Sequence, residues 1–473
     1  MQTECTSKSS EFQALGKRQV SGEFNGGAIT SDGGGLLLRE ISLGKGIISR
    51  FSSCFVDFRN PNLIDHTVEE LVGQRVFGLC LGYEDLNDHD DLRSDPLFAA
   101  LVGKLDPAGM SRRRESDKGK ALAGKATLNR FELTPLDADE SNRYKKIVYN
   151  SDQIDRFFVE MFLDSYERVP DWIVLDADAT DDPTYGDQEG RFFHGYYNHY
   201  CYLPLYVFCD GHILCSRLRC SNIDASAGTV KELGRIIGQI RERWPEVKII
   251  VRGDSGFCRE EIMSWCEGQR EVYYLLGIAK NKRLRRRIGK ALMKARKKYL
   301  QRKESARLYR VFKYRTLESW SRKRTVVGKA EHLAKGPNPR FIVTNLPQDF
   351  AYGKELYEKY YCARGDMENR IKEQQLWLFA GRTSTELMRS NQLRLYFSSV
   401  AYVLMSELRR VGLKGTQMEK AQVETIRNKL FKIGALVKIS VRRVYIMLSS
   451  SYPHSGLFKT VLSNIKRAYP LLA

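Results

Sequence analysis

The sequence predicts a mixed α/β core held between two helical regions, and three observations lead there. Residues 171–279 carry short β-patterned runs around one clear amphipathic helix. The segments up to about 165 and after about 350 show helical periodicity instead. Between them, a long basic run is followed by further β-patterned sequence up to about 345. A hairpin, a helix and a buried strand in succession indicate one mixed sheet with covering helices.

The elements follow in order. In "ITSDGGGLLLREI" a Ser-Asp-Gly turn leads into an amphipathic run; no Gly-Lys-Ser/Thr follows the glycines, which excludes a Walker loop. "GYEDLNDHDDLRSDP" is acidic, but an EF-hand needs Gly and Glu where Asp90 and Pro96 stand, so it reads as a turn with helix caps. "DWIVLDADAT" alternates as a strand, and "HYCYLPLYVFCDGHILCSRLRC" reads as two strands around a tight Asp210-Gly211 turn. "GTVKELGRIIGQIRERW" has helical apolar spacing, and "VKIIVRGD" is a short buried strand. Residues 280–303 hold thirteen basic residues and no acidic one. "RLYRVFKYRTLESWSRKRTVVGKAEHL" is β-patterned with a cationic face, and "NPRFIVTNL" closes it. Helix returns in "GKELYEKYYCARGDMENRIKEQQLWLF" and "NQLRLYFSSVAYVLMSELRRVGL", and the tail from 413 is expected to be one or two basic amphipathic helices.

The chain has 473 residues, too many for one ordinary core. Its 77 Lys and Arg against 57 Asp and Glu leave a net charge of +20, which points to a polyanionic partner. No stretch approaches the roughly 20 apolar residues of a membrane span, and the first residues lack the apolar segment of a secretory signal. The ten cysteines contain no CxxC pair; Cys209, Cys215 and Cys220 read as free thiols in strand sequence. A reduced, cytoplasmic protein is expected.

Three acidic residues stand beside runs that should be buried. In "WIVLDADAT", Ile173, Leu175 and Ala177 share one strand face and Val174, Asp176 and Asp178 the other. Asp254 ends the strand "KIIVRGD", and strand ends at a sheet crevice are where α/β proteins put chemistry. Glu368 lies in helical sequence with Arg364 one turn before and Lys372 one turn after. Hard oxygen donors without His or Cys suit Mg²⁺ or Mn²⁺, and two such ions can activate a nucleophilic oxygen and stabilise a leaving oxygen at a phosphodiester. Of the basic run, Arg285, Arg286, Arg287, Lys297 and Lys298 are candidate phosphate contacts. Trp320 in "LESWSRKR", flanked by cations, is a candidate to stack on an unpaired base.

"LDADATDDPTYG", "FHGYYNHYCYLPLYVF", "VRGDSGF" and "RGDMENRIKE" together resemble the DDE transposases of bacterial insertion sequences, closest to the insertion-sequence thirteen-eighty family. The resemblance runs from about residue 20 to 450. It implies an RNase H-like mixed-sheet core interrupted by a β-rich insertion, with helical N-terminal and C-terminal regions. The implied organisation is a helical DNA-binding and dimerisation region at 1–165, the first part of the core at 166–279, a basic β-rich insertion at 280–345, the second part with the Glu helix at 346–412, and a basic helical region at 413–473.

The resemblance further implies that Asp178, followed by Thr180, is the first catalytic and metal-ligating acid, with Asp176 in reserve, and that Asp254 and Glu368 are the others. Tyr361, Arg364 and Glu368 fit the family's Tyr-x2-Arg-x3-Glu-x6-Lys signature; its Lys position holds Gln375, and Lys372 is the substitute contact to DNA. Two Mg²⁺ or Mn²⁺ ions, double-stranded DNA with terminal inverted repeats, a target DNA, and a homodimer or larger synaptic complex at the bacterial nucleoid complete the expectation. The alternatives are an RNase H-like nuclease that cuts without joining, and a transposase-derived DNA-binding protein.

Overall fold

The computed structural model describes residues 10–470. Helix α1 (Val68–Leu81) starts at a reciprocal cap: Glu70 N–H donates to the Thr67 hydroxyl at 3.2 Å and Thr67 N–H to the Glu70 carboxylate at 2.9 Å. Helix α2 (Ser151–Leu163) is capped by the Asn150 side chain. Both pack against the central sheet or the helices that cover it.

The sheet begins with β1 (Trp172–Ala179), β2 (Leu205–Cys209) and β3 (His212–Arg217). The β2–β3 turn is Asp210-Gly211 with φ of 47° and 82°, the left-handed pair a two-residue hairpin requires. Helix α3 (Thr229–Arg243) leads to β4 (Lys248–Gly253), and α4 (Glu260–Gly268) to β5 (Val272–Ile278). The basic run forms α5 (Lys282–Arg287) and α6 (Gly289–Arg302). Strands β6 (Ala306–Tyr314), β7 (Arg324–Leu333) and β8 (Arg340–Thr344) follow. Helices α7 (Gly365–Trp377), α8 (Met388–Glu407) and α9 (Ser455–Ala468) complete the set that matters here.

Strand order is β3-β2-β1-β4-β5-β8-β7-β6. β1, β4 and β5 run parallel and every other pairing along this path is antiparallel. Ile173, Leu175 and Ala177 of β1 pack with Ile249 and Val251 of β4 under Leu233, Ile236 and Ile240 of α3, so the apolar face read from the alternation is the core face. Helix α8 is buried almost all round, consistent with its apolar residues lying on every side. It lies against α1 and β3, and its Gln392 accepts from Leu218 N–H at 2.7 Å while donating to the Ser216 carbonyl at 3.0 Å.

Two expectations change. The β-patterned segment after the basic run continues the central sheet, because β8 pairs antiparallel with β5. The tail is not purely helical: Ala435–Ile439 and Val444–Leu448 form a hairpin, to which Ile29–Thr30 adds a third strand. Val437, Ile439, Val444, Ile446 and Leu448 recur with period two, a pattern masked by the intervening Lys438, Arg442, Arg443 and Tyr445.

Candidate active site

The parallel strands β1 and β4 bring their C-terminal ends to one edge of the sheet. Asp178 is the penultimate residue of β1, and Asp254 directly follows Gly253 at the end of β4. The Asp254 carboxylate accepts from Gly256 N–H at 2.8 Å and so fixes the turn that follows. Glycine is needed twice here. A Cβ on Gly253 would stand 2.9 Å from the Phe257 Cβ, and one on Gly277 would stand 2.5 Å from the Tyr361 hydroxyl and 3.0 Å from Ser255 N. Gly277 thus lets Tyr361 lie directly against the loop of Asp254.

The third acid arrives on α7. The chain enters that helix through a widened turn, Leu356–Tyr361, and a tight one, Cys362–Arg364. Arg364 donates to Asp178 Oδ2 at 3.2 Å and also to Glu368 Oε1, one turn further on. One guanidinium therefore joins the first and third acids. Burial raises the Asp178 pKa to about 6; Arg364 opposes the rise, while the negative charges of Asp254 and Glu368 add to it. Asp178 thus senses the charges of both other carboxylates.

Asp176 faces the same side but is already engaged. It sits opposite Arg252 across the β1–β4 pairing, and Arg252 donates to both its oxygens, at 2.5 and 2.6 Å. Arg252 also donates to the Tyr360 carbonyl, so this buried pair ties the sheet to the segment before α7. Past the end of β1, Gln375 donates to the Asp181 carbonyl at 3.0 Å from the position where the family signature has Lys. Lys372 is exposed on α7.

Carboxylates without His or Cys are the donor chemistry of a hard divalent cation. Among the described residues no group of three or more His, Cys, Asp or Glu side chains is arranged to hold an ion. The positive charge between Asp178 and Glu368 is supplied by Arg364. The donor set fits Mg²⁺ or Mn²⁺ in type, and ion binding requires the guanidinium to give way.

The family model described as Transposase DDE domain group 1 matches residues 12–470. The chain belongs to this family. No curated relative matches it. Among solved structures it is similar to the piggyBac transposase synaptic complex with hairpin DNA, studied by cryo-electron microscopy, at 14% identity and a TM-score of 0.39 over 84% of this chain and 79% of that one.

In this DDE transposase the basic run forms a contiguous outer surface. Leu284, Ile288, Ala291 and Ala295 are buried at helical spacing, which leaves Arg285, Arg286, Arg287, Lys294, Arg296, Lys297 and Lys298 exposed. Arg283 and Arg287 of α5 join Lys313 of β6 and Arg315 and Lys323 of the β6–β7 connection around a cleft of about 370 Å³. The sequence reading did not single out Arg283, Lys313, Arg315 or Lys323, because the β6–β7 connection meets α5 only in the folded chain.

Trp320 corrects the sequence reading. It is 5% exposed and packed in the main core beside the sheet, edge-to-face with Tyr314 at 5.7 Å. The neighbouring Arg324 lies over its ring, and that arginine is itself buried between Glu260 and Glu267, to which it donates at 2.6 and 2.7 Å. A side chain so enclosed cannot receive a base.

The reading also passed over Asp182. Its carboxylate is buried, and burial raises its pKa to about 7 while the nearby Thr383 hydroxyl opposes the rise. The repeated acids of "DADATDD" offered no means of telling a buried neutral carboxyl from an ionised one. No helix among the described residues is long and apolar enough to cross a membrane.

Proposed function

We propose that this protein is a transposase of the insertion-sequence thirteen-eighty type. In this reading it hydrolyses a phosphodiester at each end of its element and joins the resulting 3′-OH to target DNA. What supports the reading is Asp178 and Asp254 at two adjacent parallel strand ends, with Asp178 joined through Arg364 to Glu368 on a later helix. The order β3-β2-β1-β4-β5, with β2 alone antiparallel to the other four, supports an RNase H-like core. Asp178, Asp254 and Glu368 would hold divalent cations, which when bound supply charge stabilisation at the phosphorus and lower the pKa of the attacking water.

This chain's own groups prepare the site. Gly256 N–H orients Asp254, while Arg364 keeps Asp178 and Glu368 close together until an ion and DNA replace its charge. The basic cleft and the exposed face of α5 and α6 would grip the phosphate backbone and set the position of the scissile bond. Each chain would act on one inverted repeat in a paired complex.

The test is incubation of the full chain with Mg²⁺ and a labelled fragment carrying its element's own end, together with a target plasmid. Nicking and joined product are expected from the wild type. Asp178→Asn, Asp254→Asn and Glu368→Gln should each lower both by at least about 1,000-fold while end-binding stays near wild type. Nicking without joining would leave a nuclease. Unchanged cutting by Asp178→Asn would remove that residue from the site.

A further inference from the structure

Beside the carboxylates lies a small sheet that the active-site geometry leaves without a role. It consists of Asp182–Pro183, Phe192–His194 and His199–Tyr202, and it begins three residues after the end of β1. Within residues 185–200, Tyr185, Phe192, Phe193, Tyr196 and Tyr200 are 95, 42, 53, 85 and 48% exposed. Elsewhere on the described surface exposed aromatic rings are scattered singly along the chain. Rings concentrated in one exposed patch mark an interaction surface.

The patch is preformed. Phe193 pairs with Tyr200 across the hairpin, their rings edge-to-face at 5.6 Å, and Asn198 closes the tip in the left-handed region at φ 60°. Ser221 donates to the Phe192 carbonyl at 2.9 Å, and the buried Tyr202 donates to the Glu189 carbonyl at 2.7 Å. Rigid rings lose little entropy on binding a flat partner.

Its position selects the partner. His199 Nε2 stands 2.8 Å from Asp181 Oδ2, which ties the hairpin to the segment that leaves Asp178. Tyr197 stacks beside His199, lies tilted against His194, and is within electrostatic range of Asp181 and Asp178; burial and these charges raise its phenol pKa. Arg191 lies over the Tyr200 ring at 4.6 Å while paired with Asp187 at 2.7 Å. Residues 184–200 contain no Leu, Ile, Val or Met, so the patch offers ring faces and hydrogen bonds rather than an aliphatic groove. The hairpin is thus tied to the segment that leaves Asp178, with exposed rings on the same short stretch of chain.

We propose that the 192–200 hairpin is a stacking platform for unpaired bases of the DNA strand held at Asp178. The proposal rests on reading the carboxylate site as one that acts on DNA. Stacking is indifferent to sequence, because every base has a π face, and removal of one stacking ring costs about 5- to 150-fold in affinity.

The test compares binding of the full-length chain to two DNA probes by fluorescence anisotropy, without added metal so that nothing is cut. One probe is a fully paired end; the other carries the same end with several unpaired nucleotides at the cleavage position. Phe193→Ala/Tyr196→Ala/Tyr200→Ala should weaken binding to the forked probe at least about 10-fold and to the duplex less than about 2-fold. The single variant Tyr196→Ala, at the most open tip position of the three, should show the same selectivity if the triple variant fails to fold. Tyr196→Phe should restore forked binding.

Equal losses on both probes, or none on the forked one, would overturn the proposal. So would a change in the mass of the free protein in the triple variant, which would mean that a second copy covers the rings. The two readings fail separately. Selective binding by a wild type that cuts no DNA would refute the transposase assignment alone. Normal forked binding by the triple variant of an active enzyme would refute the platform alone.

Discussion

Gly277→Ala tests whether the approach of Tyr361 to the Asp254 loop sets the active site. The added methyl would stand 2.5 Å from the Tyr361 hydroxyl, 3.0 Å from Ser255 N and 3.2 Å from the Asp254 carbonyl carbon. Ordinary contact needs about 3.5–4.0 Å, so the hydroxyl must retreat by about 1 Å and the loop by about half as much. Overpacking of this kind costs about 1–3 kcal/mol of stability. The effect on catalysis should be larger than that cost suggests, since a 1 Å misplacement of a reacting group can cost about 100-fold. We expect Gly277→Ala to cut the element's end about 100-fold more slowly while binding it normally and melting only a few degrees lower. Adding Tyr361→Phe removes the shortest of the three contacts and should recover part of the rate, leaving the Ser255 contact to account for the rest. Wild-type cleavage by Gly277→Ala would refute the argument; so would a double variant slower than the product of the two single losses.

Asp176→Asn leaves the Arg252 guanidinium buried without its counter-charge, so it should destabilise the fold by about 3–5 kcal/mol in denaturant titrations; Asp178→Asn, whose neighbour Arg364 keeps Glu368, should cost far less. Burial raises the Asp182 pKa in the folded chain from the ordinary carboxylate range to about 7, so its stabilising effect is full below about 4 and is lost as pH rises through about 7. Melts of wild type and Asp182→Asn between pH 4.5 and 8 should therefore diverge by up to about 3 kcal/mol, the wild type losing stability toward alkaline pH relative to the variant; parallel curves would show that the carboxyl does not titrate there. Replacing Arg283, Arg287 and Lys313 by Ala should lower the slope of log K against log salt by about 0.9 for each phosphate contact removed, and an unchanged slope would mean that the cleft does not touch DNA.

Much of the core was legible because local pattern and tertiary environment agree. The alternation in "WIVLDADAT" put Ile173, Leu175 and Ala177 inward, and they are the core face of β1. The Asp210-Gly211 turn needed only backbone chemistry and is present with both residues at positive φ. Misreadings arose where the environment comes from distant segments. Trp320 looked exposed because its neighbours are cationic, yet Arg324 is buried by Glu260 and Glu267 from α4, 57 or more residues away. The hairpin at 435–448 was hidden because its exposed positions carry Lys and Arg, which read as the polar face of a helix. The aromatic hairpin was visible as wording but not as a surface, since Tyr202 and Tyr206 in the same stretch are fully buried.

The acids show most clearly what pattern can and cannot reveal. Their spacing marks three sites of unusual charge, but each is accommodated in a different way. Asp176 is neutralised by Arg252 across one strand pair, a register that no local sequence encodes. Asp254 is satisfied by the backbone N–H of Gly256 in its own turn. Asp178 and Glu368 share Arg364, which lies 186 residues from the first and one helical turn from the second. Arg252 is held on both Asp176 oxygens and on a carbonyl of the chain, whereas Arg364 bonds one oxygen of each of its two acids. In the proposed reaction an ion would take over the charge that Arg364 supplies between Asp178 and Glu368. The "RGDMENRIKE" stretch, with Arg364 directly at the start of its helix, thus carries Glu368 together with the cation that joins it to Asp178.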